Sequence, residues 1–221
     1  MKFIHKSTSP AELEKYKQTE GARFDDMDST TKQAVRASLV KEQGYLCCYC
    51  GMRIENNYHS TIDHIKPQGV KEYEDLQLDY NNLICSCDGD EQNRSNKTKA
   101  EKKKFPSHCN NIKGHQIIKI SPLDIDCESK FEFDEEGNID GIDQDAKATI
   151  KVLGLDCSTL NTDRKAAIQP YINEYQGKVV SRNILETLIT KLEQKNDDGR
   201  FFPFCFVSIY YIKNFLLPLA K

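Results

Sequence analysis

The sequence predicts an α+β fold in which a small metal-stabilised module lies within a mainly helical chain. Three observations support this prediction. Apolar residues recur with helical spacing towards both ends of the 221-residue chain. The middle of the chain has only short apolar runs, which are typical of short strands and turns. Six of the nine cysteines lie in this middle part, and an odd cysteine count without a secretory leader favours metal binding over disulfides.

The first two of four predicted segments differ in pattern. Residues 1–44 should form two helices, because Ser9-Pro10 begins one helical pattern and Gly44 ends the next. Residues 45–116 carry most of the cysteine and histidine but only short apolar runs, such as Asn82-Leu83-Ile84. A bound metal, rather than a broad apolar core, should therefore hold this second segment together.

The last two segments are predicted to be a β-hairpin followed by helices. In residues 117–144, Phe131 and Phe133 alternate with acidic residues ahead of a Glu-Gly-Asn turn, which is a hairpin pattern. Residues 145–221 have helical spacing, with expected breaks near Pro170 and Gly177 and a last apolar helix over about 203–217. This final region exceeds what a small module needs, so it is predicted to dock a partner, although much of its last apolar stretch could instead be intramolecular core.

Composition and terminal sequence argue against a membrane protein or a secreted protein. The most apolar stretch, residues 201–220, is interrupted by two prolines and a lysine, which favours a buried helix over a membrane span. Residues 1–6 lack the apolar run of a secretory leader. We therefore expect a cytoplasmic location, reduced thiols and no membrane partner.

The net charge of −3 hides two oppositely charged segments. Residues 92–104 carry six basic residues against Glu101 alone, whereas residues 124–145 carry ten acidic residues against Lys130 alone. The basic residues could contact phosphates without reading sequence, although lysine runs are more often solvated loops. The predicted nucleic-acid contacts in this run are Arg94, Lys97, Lys99, Lys102, Lys103 and Lys104.

The cysteine spacing points to a tetrahedral zinc site. Cys47 and Cys50 form a Cys-x-x-Cys claw, whose two-residue spacer lets both thiolates reach one ion. A closed site needs a second pair, for which Cys85, Cys87 and Cys109 compete. Buried cysteines can also be small apolar residues without a ligand role, but a claw with downstream partners favours metal.

Three further motifs follow the claw in order. Asp63-His64 places a carboxylate beside an imidazole, Asn82-Leu83 precedes the second group of cysteines, and Cys109-Asn110-x-x-Lys113-Gly closes the set. Each motif alone would be more often structural than catalytic, since an Asp-His pair or a turn asparagine is common. The four elements in this order resemble the HNH (ββα-metal) endonuclease family over residues 39–114.

That resemblance implies a ββα-metal module with a structural zinc ion. The family spacing from Asn82 selects Cys87 over Cys85, so the implied zinc ligands are Cys47, Cys50, Cys87 and Cys109. Two departures from the family pattern stand out, since 21 residues separate Cys87 from Cys109 and an asparagine replaces the last histidine of the signature. Cys48, Cys85, Cys127, Cys157 and Cys205 are then expected to bind no metal.

The resemblance also implies a catalytic site that hydrolyses phosphodiesters. His64 would be the general base, Asp63 and Asn110 would hold one Mg²⁺ or Mn²⁺ through oxygen, and Asn82 would orient His64 within its loop. Two protein ligands leave four octahedral positions for water and phosphate, as catalysis requires. Lys113 is expected to contact phosphate. His59, His108 and His115 match no motif and are expected at the surface or in turns, although His108 could substitute for Cys109.

The overall layout looks most like the PtuB-type HNH components of Septu and retron phage-defence systems. This narrower resemblance implies a PtuA-like ATPase partner, and a retron reverse transcriptase with its msDNA is a further candidate. Two alternatives remain open from the sequence. One is a zinc-stabilised nucleic-acid-binding adaptor without catalysis, and the other is a stand-alone McrA-like restriction nuclease. Whether the substrate is DNA or RNA is left undecided by the motifs.

Overall fold

The computed structural model describes residues 1–221, and its mixture of helices and two small sheets confirms the predicted α+β class. The nine α-helices are α1 (Ala11–Tyr16), α2 (Ser29–Glu42), α3 (Glu91–Arg94), α4 (Lys99–Lys102), α5 (Asn110–Lys113), α6 (Gln144–Leu153), α7 (Ser158–Tyr175), α8 (Arg182–Glu193) and α9 (Cys205–Tyr211). The four strands are β1 (Ser60–His64), β2 (Leu83–Cys87), β3 (Phe131–Phe133) and β4 (Ile139–Gly141). None of the helices is long and apolar enough to cross a membrane.

Helix α2 supports the central sheet. It begins at a cap in which Asp28 accepts a hydrogen bond from the Thr31 backbone N–H at 2.9 Å, and its buried residues pack towards β1 and β2. Gln43, just beyond the helix, donates from Nε2 to the Cys85 carbonyl at 2.8 Å and accepts from the Cys85 N–H at 2.7 Å. The end of α2 is thereby tied to the middle of β2.

Strands β1 and β2 pair antiparallel and position the two candidate sites. Ser60 lies opposite Cys87 at one end of the pair, and His64 lies opposite Leu83 at the other. The two ends are four residues apart along the strand, which corresponds to about 13 Å at the usual rise per residue. The cysteine end and the Asp63-His64 end therefore belong to one short sheet.

Strands β3 and β4 form the second sheet, at the positions that the alternation of Phe131 and Phe133 predicts. Asp134 closes the turn by accepting the N–H groups of Glu136 and Asn138 at 3.0 and 2.9 Å. Gly137 has φ +80°, and a Cβ there would lie 2.1 Å from the Asn161 carbonyl oxygen of α7. Only glycine therefore fits where the hairpin meets α7.

The C-terminal helices pack on the cysteine-rich segment. The Phe204 N–H donates to the Gly51 carbonyl at 3.0 Å, and the Phe206 ring covers the Gly51 Cα. The predicted break at Pro170 is wrong, because α7 runs through it to Tyr175, and the chain turns only around Gly177. Proline removes one backbone donor, and packing of α7 against α9 keeps the helix continuous across that gap.

Candidate functional site

Four cysteine thiols converge in the interior. The sulfur atoms of Cys47, Cys50, Cys87 and Cys109 all lie within 4.8 Å of one another, and all four residues are buried. The Cys47–Cys109 and Cys50–Cys87 sulfur pairs are each 3.8 Å apart. Zinc–sulfur bonds of about 2.3 Å in a tetrahedron give sulfur separations of about 3.8 Å. The donor set and its dimensions therefore fit a tetrahedral metal ion such as zinc.

Three backbone segments deliver these thiols. The claw is a tight turn in which the Cys47 N–H donates to the Met52 carbonyl at 2.8 Å and the Gly51 N–H donates to the Cys47 carbonyl at 3.1 Å. Cys87 ends β2, and Cys109 precedes α5. The Cys109 N–H donates to the Leu153 carbonyl of α6 at 2.7 Å. This long-range bond returns the chain to the cluster after the insert between Cys87 and Cys109.

The remaining cysteines lie outside the cluster. Burial raises the pKa of the Cys85 and Cys127 thiols to about 12 and that of Cys205 to about 11. Burial also raises the pKa of Cys48 well above its ordinary value. These thiols stay protonated near neutral pH, as expected for buried side chains without a metal.

His108 is not at the surface, so that expectation is wrong. Its side chain is 0% exposed, and its Nδ1 lies 3.2 Å from the Cys109 sulfur and 3.8 Å from the Cys87 sulfur. Its Nε2 faces Asp90 Oδ2 at 3.8 Å. The imidazole thus packs against the cluster from outside, next to Cys109 rather than in its place.

Asp63 is the centre of the second group of polar residues. It is 7% exposed, and its Oδ1 accepts the His64 backbone N–H at 2.7 Å and the Lys113 ammonium at 3.2 Å. Its Oδ2 accepts the Tyr49 hydroxyl at 2.6 Å. Both acceptor directions of Oδ1 are thus in use. Oδ2 has one hydrogen-bond donor, which leaves it a lone pair for a cation.

Asn110 begins α5 and faces this carboxylate. One terminal atom of its side-chain amide lies 3.1 Å from Asp63 Oδ1 and 3.3 Å from Oδ2, and with the oxygen in that position three acceptors would lie together without a donor. Turning the amide over makes its nitrogen donate to both oxygens instead. Two oxygens bound at about 2.1 Å in neighbouring octahedral positions are about 3 Å apart. The pair therefore fits Mg²⁺ or Mn²⁺ with the oxygen inward, and a cation-free carboxylate with the amide turned.

His64 presents one ring nitrogen as a base. Its Nε2 lies 2.9 Å from the Gln77 carbonyl, which can only accept, so Nε2 carries the proton and Nδ1 has a free lone pair. The Phe24 ring packs edge-on against the imidazole with centroids 4.5 Å apart. Burial lowers the pKa of His64, which keeps the ring neutral near pH 7.

Asn82 holds the loop that faces His64. Its Nδ2 donates to the carbonyls of Lys66 and Leu76 at 3.0 and 3.1 Å, and its Oδ1 accepts the Lys66 N–H at 2.8 Å. Gln77, which binds His64 Nε2, directly follows Leu76. The side chain of Asn82 makes no hydrogen bond to the His64 ring, so it can orient that ring only through the loop.

Lys113 differs from its expected role. The residue is 1% exposed, and its ammonium donates to the His64 carbonyl at 2.7 Å as well as to Asp63. The structure therefore buries this lysine beneath the Asp63-His64 pair instead of presenting it to phosphate at the surface. A buried ammonium there compensates the carboxylate charge.

The basic run divides into two kinds of residue. Arg94 bonds to the backbone carbonyls of Lys102, at 3.1 Å, and Phe105, so its guanidinium stabilises the insert and differs from the expected phosphate contact. Lys97 lies over the Phe105 ring and is half-buried, as is Lys102. Lys99, Lys103 and Lys104 are exposed. These three side chains are free to meet a phosphate backbone.

The sequence patterns assigned no role to Tyr49, Gln77 or Gln43. The Tyr49 hydroxyl reaches Asp63, and burial followed by the Asp63 charge raises its pKa well above the ordinary value, so it remains a donor. Its position inside the Cys-x-x-Cys claw was the one available signal. Gln77 acts through its carbonyl, which no residue type reveals.

The fold and these two groups define an α+β protein with four clustered thiols that could bind a metal and an Asp-His pair on a two-stranded sheet. No protein-family model matches the chain. A Vibrio cholerae (serotype O1, biovar El Tor) protein described as a candidate HNH endonuclease of retron Vc95 is 30% identical over 180 residues. The match covers 75% of this chain and 82% of that relative. The chain belongs to the HNH endonuclease family, and nucleic acid is the substrate class that this membership implies.

Proposed function

We propose that this protein is a metal-dependent HNH endonuclease and the effector of a phage-defence complex. Cys47, Cys50, Cys87 and Cys109 would bind one structural Zn²⁺, and Asp63 with Asn110 would hold one Mg²⁺ or Mn²⁺. The observation that carries the proposal is the hydrogen bonding of the His64 ring. Its Nε2–H bond to the Gln77 carbonyl leaves Nδ1 unprotonated, and the residue directly follows Asp63, whose carboxylate accepts the His64 backbone N–H.

The residues divide the work of phosphodiester hydrolysis. His64 Nδ1 would take a proton from the attacking water as the new phosphorus–oxygen bond forms and the bond to the leaving oxygen breaks. The Gln77 carbonyl would steady the resulting imidazolium through Nε2–H. A bound divalent cation would supply positive charge for the phosphate and the leaving oxygen. Asn82 would keep the loop, and therefore Gln77, in place.

The thiol cluster would serve stability rather than chemistry. All four thiols point inward and would occupy all four coordination positions of a tetrahedral ion, so no coordination position would be left for substrate. Such an ion would join the claw, the end of β2 and the start of α5, which is the helix that carries Asn110. The 45–116 segment would thus be a ββα-metal module whose two metals have separate roles.

The complex is proposed to be of PtuB type. Residues 145–221 would dock a PtuA-like ATPase, with residues 1–44 and 117–144 as the other parts of the scaffold. The retron in the relative's description supports a defence setting, in which a reverse transcriptase and its msDNA are further partners. We expect the protein to be weak or silent alone, because the zinc module is complete without residues 145–221 and this region is the proposed docking surface.

The test uses purified full-length protein, alone and with its ATPase partner. Duplex DNA, single-stranded DNA and tRNA are incubated with Mg²⁺ or Mn²⁺, and His64→Ala purified in the same way is the control. Cleavage by the wild type and not by the variant is expected. Equal cleavage by both would reject the proposed base. Binding without cleavage of any substrate, with zinc present, would favour the adaptor instead. Full activity of the isolated chain would argue against partner control and for the stand-alone restriction nuclease.

A further inference from the structure

Tyr49 is a side chain that connects the two candidate metal sites. It lies between Cys47 and Cys50 in the claw, and its ring is 0% exposed. Its hydroxyl donates to Asp63 Oδ2 at 2.6 Å. The thiol cluster and the Asp63 carboxylate are therefore joined through one turn of backbone and one rigid ring.

We infer that Tyr49 is a positioning residue that aims the Asp63 carboxylate, so that the cysteine claw sets the geometry of the divalent-cation site. The inference rests on the proposed role of Asp63 as a cation ligand. It assigns the structural metal a second task, because whatever orders the claw also orders Tyr49.

The contacts around Asp63 explain why this one bond matters. Two donors hold Oδ1, namely the His64 N–H at the end of β1 and the Lys113 ammonium from α5. Oδ2 is the oxygen with a lone pair left for a cation, and Tyr49 is its hydrogen-bond donor. Without the hydroxyl, the carboxylate could rotate about Cβ–Cγ, and Oδ2 would lose its fixed direction. Partners of metal-binding carboxylates typically contribute about 10- to 100-fold in metal affinity or activity.

The claw can transmit this geometry because it is short and enclosed. Hydrogen bonds from the Cys47 N–H to Met52 and from the Gly51 N–H to Cys47 close the turn around Tyr49. The aromatic ring has two rotatable side-chain bonds and is fully packed. A small displacement of the claw would thus carry the hydroxyl away from Oδ2.

The experiment measures Mn²⁺ binding to zinc-loaded Tyr49→Phe by electron paramagnetic resonance of free Mn²⁺. Phenylalanine keeps the ring and removes only the donor. We expect Mn²⁺ affinity to fall about 10-fold, with one zinc per chain retained and the half-saturating Mn²⁺ concentration for cleavage raised equally. The matched control is Tyr211→Phe, whose buried hydroxyl lies 3.5 Å from Glu135 outside the module and whose affinity should not change.

A second measurement does not need the Phe variant to fold. With 3-fluorotyrosine placed at position 49 alone, Mg²⁺ should shift the fluorine resonance, whereas the same probe at position 211 should not respond. Wild-type Mn²⁺ affinity in Tyr49→Phe, zinc loss from it, or a silent fluorine probe at 49 would overturn the inference. Failure of the proposed function appears separately, as absence of Mn²⁺ binding and cleavage in the wild type itself.

Discussion

The thiol cluster and the Asp63 site share one small sheet but differ in chemistry and closure. The cluster consists of four buried sulfur donors within 4.8 Å of one another, which would leave a tetrahedral ion no open position. The Asp63 site offers two oxygen-bearing side chains, Asp63 itself and the half-buried Asn110 at its rim, together with an imidazole that has a free nitrogen. A closed sulfur site favours stability, whereas an incomplete oxygen site can admit water and phosphate.

The structure accommodates the insert between Cys87 and Cys109 without disrupting either site. The insert contains α3 and α4 and returns to the cluster through the Cys109–Leu153 backbone bond. Because Asn110 directly follows Cys109, closing the cluster also places the Asn110 side chain opposite Asp63. Damage to the first site should therefore reach the second, but damage to the second should stay local.

Losing a cluster thiol should have the largest effect. Cys87→Ser should lose zinc and be destabilised by more than about 4 kcal/mol, because metal-binding free energy is folding free energy in such sites. Zinc content and thermal unfolding are measured. Cys85→Ser is the matched control, since it changes a buried thiol of the same strand outside the cluster and should keep zinc. Zinc loss from Cys85→Ser but not Cys87→Ser would reverse the assignment.

Substituting Cys109, the thiol that precedes α5, should also destabilise the protein. Cys109→Ser should aggregate or express poorly rather than fold into an inactive enzyme, because Cys109 joins the insert to α5. Soluble yield and zinc stoichiometry report this. A folded and active Cys109→Ser would show that the thiol cluster does not hold the module together.

Removing the His64 imidazole should reduce cleavage without changing zinc content or nucleic-acid binding. His64→Ala should reduce cleavage by at least about 10²-fold, the usual contribution of a positioned general base. Zinc content and nucleic-acid binding should persist, because His64 is in neither the cluster nor the exposed basic run. His59→Ala, which removes a half-buried imidazole paired with Asp88, should cleave normally. Normal cleavage by His64→Ala would make the assigned role of the ring untenable.

Substitutions at Asn110 test whether its side-chain oxygen or its nitrogen faces Asp63 when the cation is bound. Asn110→Ala should raise the Mn²⁺ concentration for half-maximal cleavage at least about 10-fold, and Asn110→Asp should retain cation binding because it keeps an oxygen towards Asp63. Asn111→Ala, at the exposed neighbouring position, is the control. If Asn110→Ala binds Mn²⁺ like the wild type, the amide serves only as a hydrogen-bond donor to Asp63.

The exposed lysines should give the smallest effect. Lys103→Ala with Lys104→Ala should weaken nucleic-acid binding several-fold at low salt and reduce the slope of log K against log salt by up to about 0.9 for each lost phosphate contact. Lys213→Ala, an exposed lysine of the C-terminal region, should leave the slope unchanged. An unchanged slope in the double variant would make the run a solvated loop.

The donor types and their order along the chain could be predicted from the sequence, because coordination and acid–base chemistry depend on residue identity. Cys-x-x-Cys, Asp63-His64, Asn82 and Cys109-Asn110 indicated the two groups that the structure brings together. The helices at both ends and the Phe131–Phe133 hairpin were also predictable, since local periodicity reports which face of an element is buried.

Family spacing selected the cysteine of β2 that joins the cluster, whereas only the tertiary structure decided where the long basic side chains go. Cys85 and Cys87 are two residues apart and share one face of the strand, so alternation cannot separate them; the family spacing from Asn82 selects Cys87, and its sulfur lies in the cluster. Lys113, Arg94 and His108 are buried by neighbours far away in the chain. Such burial depends on long-range packing, which local residue patterns do not report.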